Sequence, residues 1–169
     1  TYYYGIAQDT DIDAMANFMA GFGFGSPTGL DIKGESKGVL PSRAWKKARF
    51  SKPDMQRWYI GDSISVGIGQ GYSLSTPLQL AFATAILAND GVVYKPHIVK
   101  HVEDVGSGEK RAIEAEPSRT FKLSKKNIEL VKAAMVDVTR PGGTAAKAFA
   151  GAEYASGGKT GTAQVIGLK

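Results

Sequence analysis

The sequence predicts an α+β fold, with helices and extended segments in separate stretches of the chain. Three observations lead to it. Two segments, beginning at Thr76 and Ser124, show helical periodicity behind a capping residue. The chain between them, from Val92 to Glu116, reads as extended and folded about a glycine turn. A further strand is expected from Thr162 to Ile166.

Taken in order, the first helix is marked by Ile12, Met15, Phe18, Met19 and Phe22 at helical spacing. Thr10 or Asp11 can cap it, and Gly21 and Gly23 close it. Residues 25–50 mix Gly, Pro, Ser and Lys without a period, so a long surface excursion is expected, with one helical turn beginning at Pro41. The best-marked helix starts behind Thr76. Pro77 fits the first helical position, where its missing N–H costs nothing, and Gln79 completes a capping box. Leu78, Leu80, Ala81, Phe82, Ala85, Ile86 and Leu87 leave little polar face, so this helix is expected to be buried nearly all round until Gly91 stops it.

Val92 to Val105 and Lys110 to Glu116 then flank Gly106-Ser107-Gly108 as a ribbon or hairpin. Pro96, unable to donate to a ladder, pushes the first part towards an edge. Ser124 caps an amphipathic helix with Ile128, Val131, Met135 and Val138 on one stripe, ending before Pro141-Gly142-Gly143. A helical turn at Thr144 to Phe149 precedes the last strand. No internal repeat or low-complexity segment is present.

A chain of 169 residues, 43% hydrophobic, is long enough for one domain or part of one. Its longest apolar stretch, Leu78 to Ala88, is broken by Gln79 and Thr84 and falls short of the roughly 20 residues of a membrane helix. The opening TYYYGIAQDTD lacks the basic-then-apolar pattern of a secretory signal, so any export signal or anchor is expected upstream. The absence of cysteine excludes disulfides and thiolate metal sites. Net charge is +5, and between Lys33 and Arg57 eight basic residues face two acidic ones. The run lacks helical spacing and interleaves only Trp45 and Phe50, which favours a solvated loop near anionic lipid or polymer over a nucleic-acid surface.

Ser156-Gly157-Gly158-Lys159-Thr160-Gly161-Thr162-Ala163-Gln164-Val165 poses the chemical question. A phosphate loop would need glycine where Glu153 stands and a helix where Ala163-Gln164-Val165-Ile166 favours strand. The sets Gly21-Phe22-Gly23-Phe24-Gly25 and Gly67-Ile68-Gly69-Gln70-Gly71 miss the last glycine of a dinucleotide fingerprint and read as turns. His97 and His101 in extended chain stand about 13 Å apart, too far to share a metal with bonds of about 2 Å. No metal and no cofactor is expected. Lys-Thr-Gly opening a strand has another use in serine acyl transfer: ammonium beside the nucleophile, hydroxyl for substrate, glycine for close backbone approach.

Three stretches read together narrow this further: GDSISVGIGQGYSLSTPLQLA (Gly61 to Ala81), RPGGTAAKAF (Arg140 to Phe149) and ASGGKTGTAQV (Ala155 to Val165). In order, spacing and wording they resemble the transpeptidase domain of class B penicillin-binding proteins, most nearly the penicillin-binding protein 2 type that serves cell elongation. TYYYGIAQD, FGFGSPTGLDI and VVYKPHIV resemble it too, so the likeness covers essentially the whole chain.

The resemblance implies the penicillin-binding and serine β-lactamase-like fold, an antiparallel sheet flanked by helices on both faces, with the Pro77 helix in the buried layer and the strand from Lys159 bordering the active groove. It implies a D,D-transpeptidase held in the bacterial inner membrane and facing the periplasm, which cross-links peptidoglycan stem peptides and is acylated by β-lactams. Elongation-complex membrane proteins are implied as partners, and nucleic acid is not. Of the family's three motifs only Lys159-Thr160-Gly161 is present. By carry-over, Lys159 supports the charge network, Thr160 and Thr162 bind a terminal carboxylate beside Gly161, and the Thr162 N–H forms half of the oxyanion hole.

The sequence departs from the pattern elsewhere. Ser107-Gly108-Glu109-Lys110 and Ser156-Gly157-Gly158-Lys159 match Ser-x-x-Lys in letters only: the first is expected in a hairpin turn, and the second uses the third motif's own lysine. No Ser-x-Asn occurs. The 169 residues are therefore expected to be a partial transpeptidase domain, without the nucleophile region and the last strands, and inactive in isolation. A β-lactam sensor without turnover and a β-lactamase-like hydrolase remain as alternatives.

Overall fold

The computed structural model describes residues 2–161 and 163. Helices α1 (Tyr2–Asp9) and α2 (Ile12–Gly21) open the chain. Of the two candidate caps between them, Asp11 is the cap: its carboxylate accepts the N–H groups of Asp13 and Ala14, both at 3.0 Å. Thr10 turns back instead, its hydroxyl donating to the Ile6 carbonyl at 2.7 Å. The α2 helix ends where its backbone meets an aromatic ring. A Cβ on Gly21 would lie 2.3 Å from the Phe121 ring, which packs against Phe18 and Phe22 with centroids 5.5 and 5.0 Å away. Only glycine permits that approach.

Beyond Gly25 the chain contains more helix than its composition suggested: one helix falls within residues 25–50, where one turn was expected, and two fall after it. They are α3 (Arg43–Arg49), α4 (Pro53–Gln56) and α5 (Ile60–Gly67). The turn expected at Pro41 begins two residues later, because Ser42 is the cap and accepts the Trp45 N–H at 3.0 Å, while Pro41 is fully buried ahead of it. Nor is the basic run a uniform solvated face. Arg43 holds Asp11 and Asp13 at 2.6 and 2.8 Å, and Lys46 is only 3% exposed. Its ammonium lies 2.5 Å from Asp62 and 5.1, 5.3 and 5.6 Å from the rings of Tyr59, Tyr72 and Trp58. A buried cation requires such partners. The same Asp62 carboxylate accepts the Tyr59 N–H at 2.8 Å, so one group ties α3 to the start of α5. Helix α5 in turn lies against α1 so closely that a Cβ on Gly67 would stand 2.2 Å from that of Ala7.

Helix α6 (Pro77–Ala88) has the expected cap: Thr76 Oγ1 accepts the Gln79 N–H at 3.1 Å, and Gln79 Oε1 accepts the Thr76 N–H at 3.0 Å. Gln79 does more, since its Nε2 donates to the carbonyls of Ser26 and Lys37, both at 2.9 Å, stapling the 26–37 loop to the helix. The expectation that α6 is buried all round is corrected. Only Gln79 and Ile86 are buried, and Leu80 is 53% exposed. The helix meets β1 (Val92–Tyr94) and α7 (Lys125–Thr139) on one side, while Leu80, Ala81, Thr84, Ala85 and Ala88 face outward.

The predicted ribbon divides in two. Strand β1 pairs antiparallel with β4 (Pro117–Thr120), with Val92 opposite Thr120 and Val93 opposite Arg119. Strands β2 (His101–Glu103) and β3 (Lys110–Ala112) form the hairpin expected around Gly106-Ser107-Gly108. Asp104 organises its turn, accepting the Gly106 and Ser107 N–H groups at 3.0 and 2.8 Å. Pro96 lies just beyond β1, where no ladder N–H is needed. Gly91, at φ 89°, makes the turn from α6 into β1; a side chain there would meet the Phe121 carbonyl at 2.2 Å. The described residues thus form an α+β arrangement with two small antiparallel sheets. No helix among them is long and apolar enough to cross a membrane.

Candidate active site

The Lys-Thr-Gly segment is placed by α7. Ser124 caps this helix, accepting the Asn127 N–H at 3.4 Å, and Ile128 is buried as the periodicity required. The helix stops at Thr139. Pro141 cannot continue it, and Gly142 adopts φ 91° to turn the chain. The Gly143 N–H donates to the Arg140 carbonyl at 2.8 Å and the Ala145 N–H to the Val138 carbonyl at 2.9 Å. A Cβ on Gly143 would lie 2.2 Å from the Asp137 carbonyl oxygen, so the glycine is what lets the chain fold back against the helix end. A 3-10 turn, Ala146–Phe149, follows where the helical turn was expected.

The chain then returns to α7. Thr139, 8% exposed, donates its hydroxyl to the Ser156 carbonyl at 2.8 Å, and the Gly158 N–H donates to the Met135 carbonyl at 2.9 Å. Lys159 comes next. Lys159, Thr160 and Gly161 are exposed and lie outside any strand, and the Lys159 ammonium donates to the Thr160 carbonyl. The strand expected from Lys159 is therefore corrected over 159–161: neither described sheet runs alongside these residues, and a strand needs a neighbour's N–H and C=O groups. Thr162, assigned both hydroxyl and oxyanion roles by resemblance, lies outside the described residues. Of the stretch 162–166 only Ala163 is described, exposed and outside any strand.

The two letter-matches to Ser-x-x-Lys are not helical sites. Ser107 sits in the β2–β3 turn with its hydroxyl on Asp104 at 3.0 Å, and Ser156 belongs to the arm returning to α7. His97 lies in a loop with Nδ1 donating to the Val99 carbonyl at 2.8 Å, while His101 is in β2. Among the described residues no cluster of three His, Asp or Glu could hold a metal. Among the described residues, cavities of about 350 and 190 Å³ lie along α2 with residues 40–44 and along the 28–36 loop, neither lined by Lys159.

Sequence reasoning missed Thr139 and Gly158 as the anchors of the candidate wall. The one signal was position: a threonine in the last turn, four residues after Met135 of the apolar stripe, directly before the Arg-Pro-Gly-Gly break.

The family described as penicillin binding protein transpeptidase domain matches residues 1–169. The chain is 44% identical over 170 residues to peptidoglycan D,D-transpeptidase MrdA of Escherichia coli K12, covering all of this chain and 26% of that protein. It therefore spans about a quarter of the length of that relative. Among solved structures it resembles Pseudomonas aeruginosa PBP2 in complex with WCK 5153, with TM-score 0.80 and 39% identity over 97% of this chain and 36% of the other. It also resembles PBP2 of Helicobacter pylori, solved as a complex with MreC, with TM-score 0.77 and 28% identity over 97% and 28%. Matched by the family model over every one of its residues, the chain belongs to the penicillin binding protein transpeptidase domain family.

Proposed function

We propose that the chain is part of a longer peptidoglycan D,D-transpeptidase, in which Lys159, Thr160, Gly161 and Thr162 form one wall of a serine acyl-transfer site. The observation that carries this reading is the match of the transpeptidase family to the entire chain, Lys159-Thr160-Gly161 included. Identity to a named D,D-transpeptidase supports the reaction class over a sensor or a hydrolase. The nucleophilic serine belongs to another part of the parent, since the chain's own candidates are a hairpin-turn serine and one beside the wall itself.

In the reaction, the serine oxygen attacks the carbonyl carbon of the penultimate D-Ala of a stem peptide, and its proton passes to a neighbouring base. The Lys159 ammonium favours the electron-rich serine oxygen by its charge. The carbonyl electrons move onto oxygen, where the Thr162 N–H donates as one half of the oxyanion hole, worth about 3 kcal/mol of barrier. The C–N bond breaks, and the terminal D-Ala leaves with a proton on its nitrogen. An amine of a neighbouring strand then attacks the ester, forms the cross-link and returns the proton to serine. Until that D-Ala departs, the Thr160 and Thr162 hydroxyls donate to its terminal carboxylate, and Gly161 admits the substrate backbone. A β-lactam, whose ring amide mimics the scissile bond, stops at the ester. No step requires a cofactor.

On this reading the parent sits in the bacterial inner membrane with this domain in the periplasm, and its partners are stem peptides, β-lactams and elongation-complex proteins. The solved complex of a similar protein with MreC supports the last of these. Incubating the intact parent with lipid-linked glycan tests the reading. Cross-linked dimeric stem peptides and released D-Ala are expected. An acyl adduct without cross-links would indicate a sensor, and rapid deacylation by water a hydrolase.

A further inference from the structure

We propose that Thr139 is a positioning residue for the Lys159-Thr160 wall, its hydroxyl fixing the arm from which Lys159 projects. The inference rests on the reading of that wall as part of an acyl-transfer site.

Two contacts hold the arm to α7, one on each side of Gly157. The Thr139 hydroxyl donates to the Ser156 carbonyl at 2.8 Å, and the Gly158 N–H donates to the Met135 carbonyl at 2.9 Å. Met135 and Thr139 are four residues apart, one above the other on a single helix face, with a rise of about 6 Å between them. Two residues of extended chain, from Ser156 to Gly158, span about 7 Å. Ser156 meets the later helix residue and Gly158 the earlier one, so the arm runs antiparallel to the last turn of α7. Lys159 follows the second anchor directly, one Cα step of about 3.8 Å away.

The Thr139 hydroxyl also lies 2.9 Å from the Val136 carbonyl within its own helix. Its single proton is shared between the two acceptors. The intrahelical bond is open to any threonine in a last turn, whereas the bond to Ser156 joins residues 17 apart in sequence. Thr139 as a residue is 8% exposed, and both acceptors of its hydroxyl are backbone carbonyls held by the fold. Gly157 completes the fit: a Cβ there would stand 3.4 Å from both the backbone carbon and the Cβ of Met135, so alanine just fits and a β-branched side chain does not.

The test uses the intact parent and a labelled penicillin, following the acylation rate at saturation and the apparent binding constant separately, each normalised to folded protein. Thr139→Val keeps the shape and removes the donor. A misplacement of about 1 Å costs on the order of 100-fold in rate. The saturating rate of Thr139→Val is therefore expected to fall about 10- to 100-fold, with binding changed about threefold or less, and Thr139→Ser is expected to restore the rate. Gly157→Val, which lifts the arm from the other side with Thr139 intact, is expected to reproduce the loss and decides the matter if Thr139→Val does not fold. A Thr139→Val or Gly157→Val protein that melts lower but acylates at the wild-type rate while Lys159→Ala is slow would overturn the inference alone. An unlabelled wild-type parent, or Lys159→Ala acylated normally, would overturn the underlying reading and the inference with it.

Discussion

Replacing Gln79 by methionine should loosen the union between α6 and the loop before it. The side chain is 1% exposed and makes three hydrogen bonds: Nε2 to the carbonyls of Ser26 and Lys37 at 2.9 Å each, and Oε1 from the Thr76 N–H at 3.0 Å. Methionine matches its length and offers none of them, leaving two carbonyls and one N–H without partners. At about 1 kcal/mol for each bond, the loss is about 3 kcal/mol, a large part of the 5–15 kcal/mol that is ordinary for a domain. In urea unfolding of the parent's catalytic domain, an m value of about 2 kcal/mol/M converts this to a midpoint about 1.5 M lower. Gln79→Glu adds a sign. Its carboxylate still accepts from Thr76 but faces two carbonyl oxygens, so it should be at least as damaging at neutral pH and partly relieved in acid, where the protonated group donates. A Gln79→Met midpoint within about 0.3 M of wild type would refute the reasoning.

Three further predictions concern other joints. Gly67→Ala should separate α5 from α1, because the new Cβ would lie 2.2 Å from that of Ala7; adding Ala7→Gly should recover much of the lost melting temperature. Lys46→Met should cost about 3–5 kcal/mol in denaturant unfolding by leaving Asp62 unpaired, and Lys46→Met with Asp62→Asn should cost less, since the neutral amide oxygen still accepts from Tyr59. Asp31 accepts the N–H groups of Val99 and Ile98 at 3.0 and 2.9 Å, which hold its carboxyl below the usual aspartate range. Its folded pKa is depressed, so its contribution is present above the unfolded value of about 3.9 and is lost as pH falls through the folded value. Carboxyl titration by NMR should show the low value, and Asp31→Asn should flatten that part of the acid-unfolding curve.

Legibility in the sequence followed the range of the interaction. The Thr76 cap, Pro77 and the Gly106-Ser107-Gly108 turn were readable because a few adjacent residues determine them. Helices α3, α4 and α5 were not, since four to eight residues give hardly two turns of periodicity. The pairing of β1 with β4 was missed for another reason: Pro117-Ser118-Arg119-Thr120 has no alternation, and its partner is distant in sequence. The burial of α6 was overstated because composition tells how apolar a helix is, not what lies across from it. Lys46 looked like one more surface cation until the fold surrounded it with aromatic rings. At the candidate site, the wording of Lys159-Thr160-Gly161 was legible and its attachment to Met135 and Thr139 was not, because two hydrogen bonds across a chain reversal leave no pattern in either segment.

The central claim is that the Lys159 ammonium serves an acylable serine elsewhere in the parent protein. Mass-spectrometric mapping of the intact parent after brief exposure to benzylpenicillin tests it directly, with Lys159→Ala in parallel. The account predicts a single penicilloyl ester on a serine outside residues 1–169, formed on the order of 100-fold more slowly in Lys159→Ala. An adduct on Ser107 or Ser156, or equal rates in the two proteins, would contradict it.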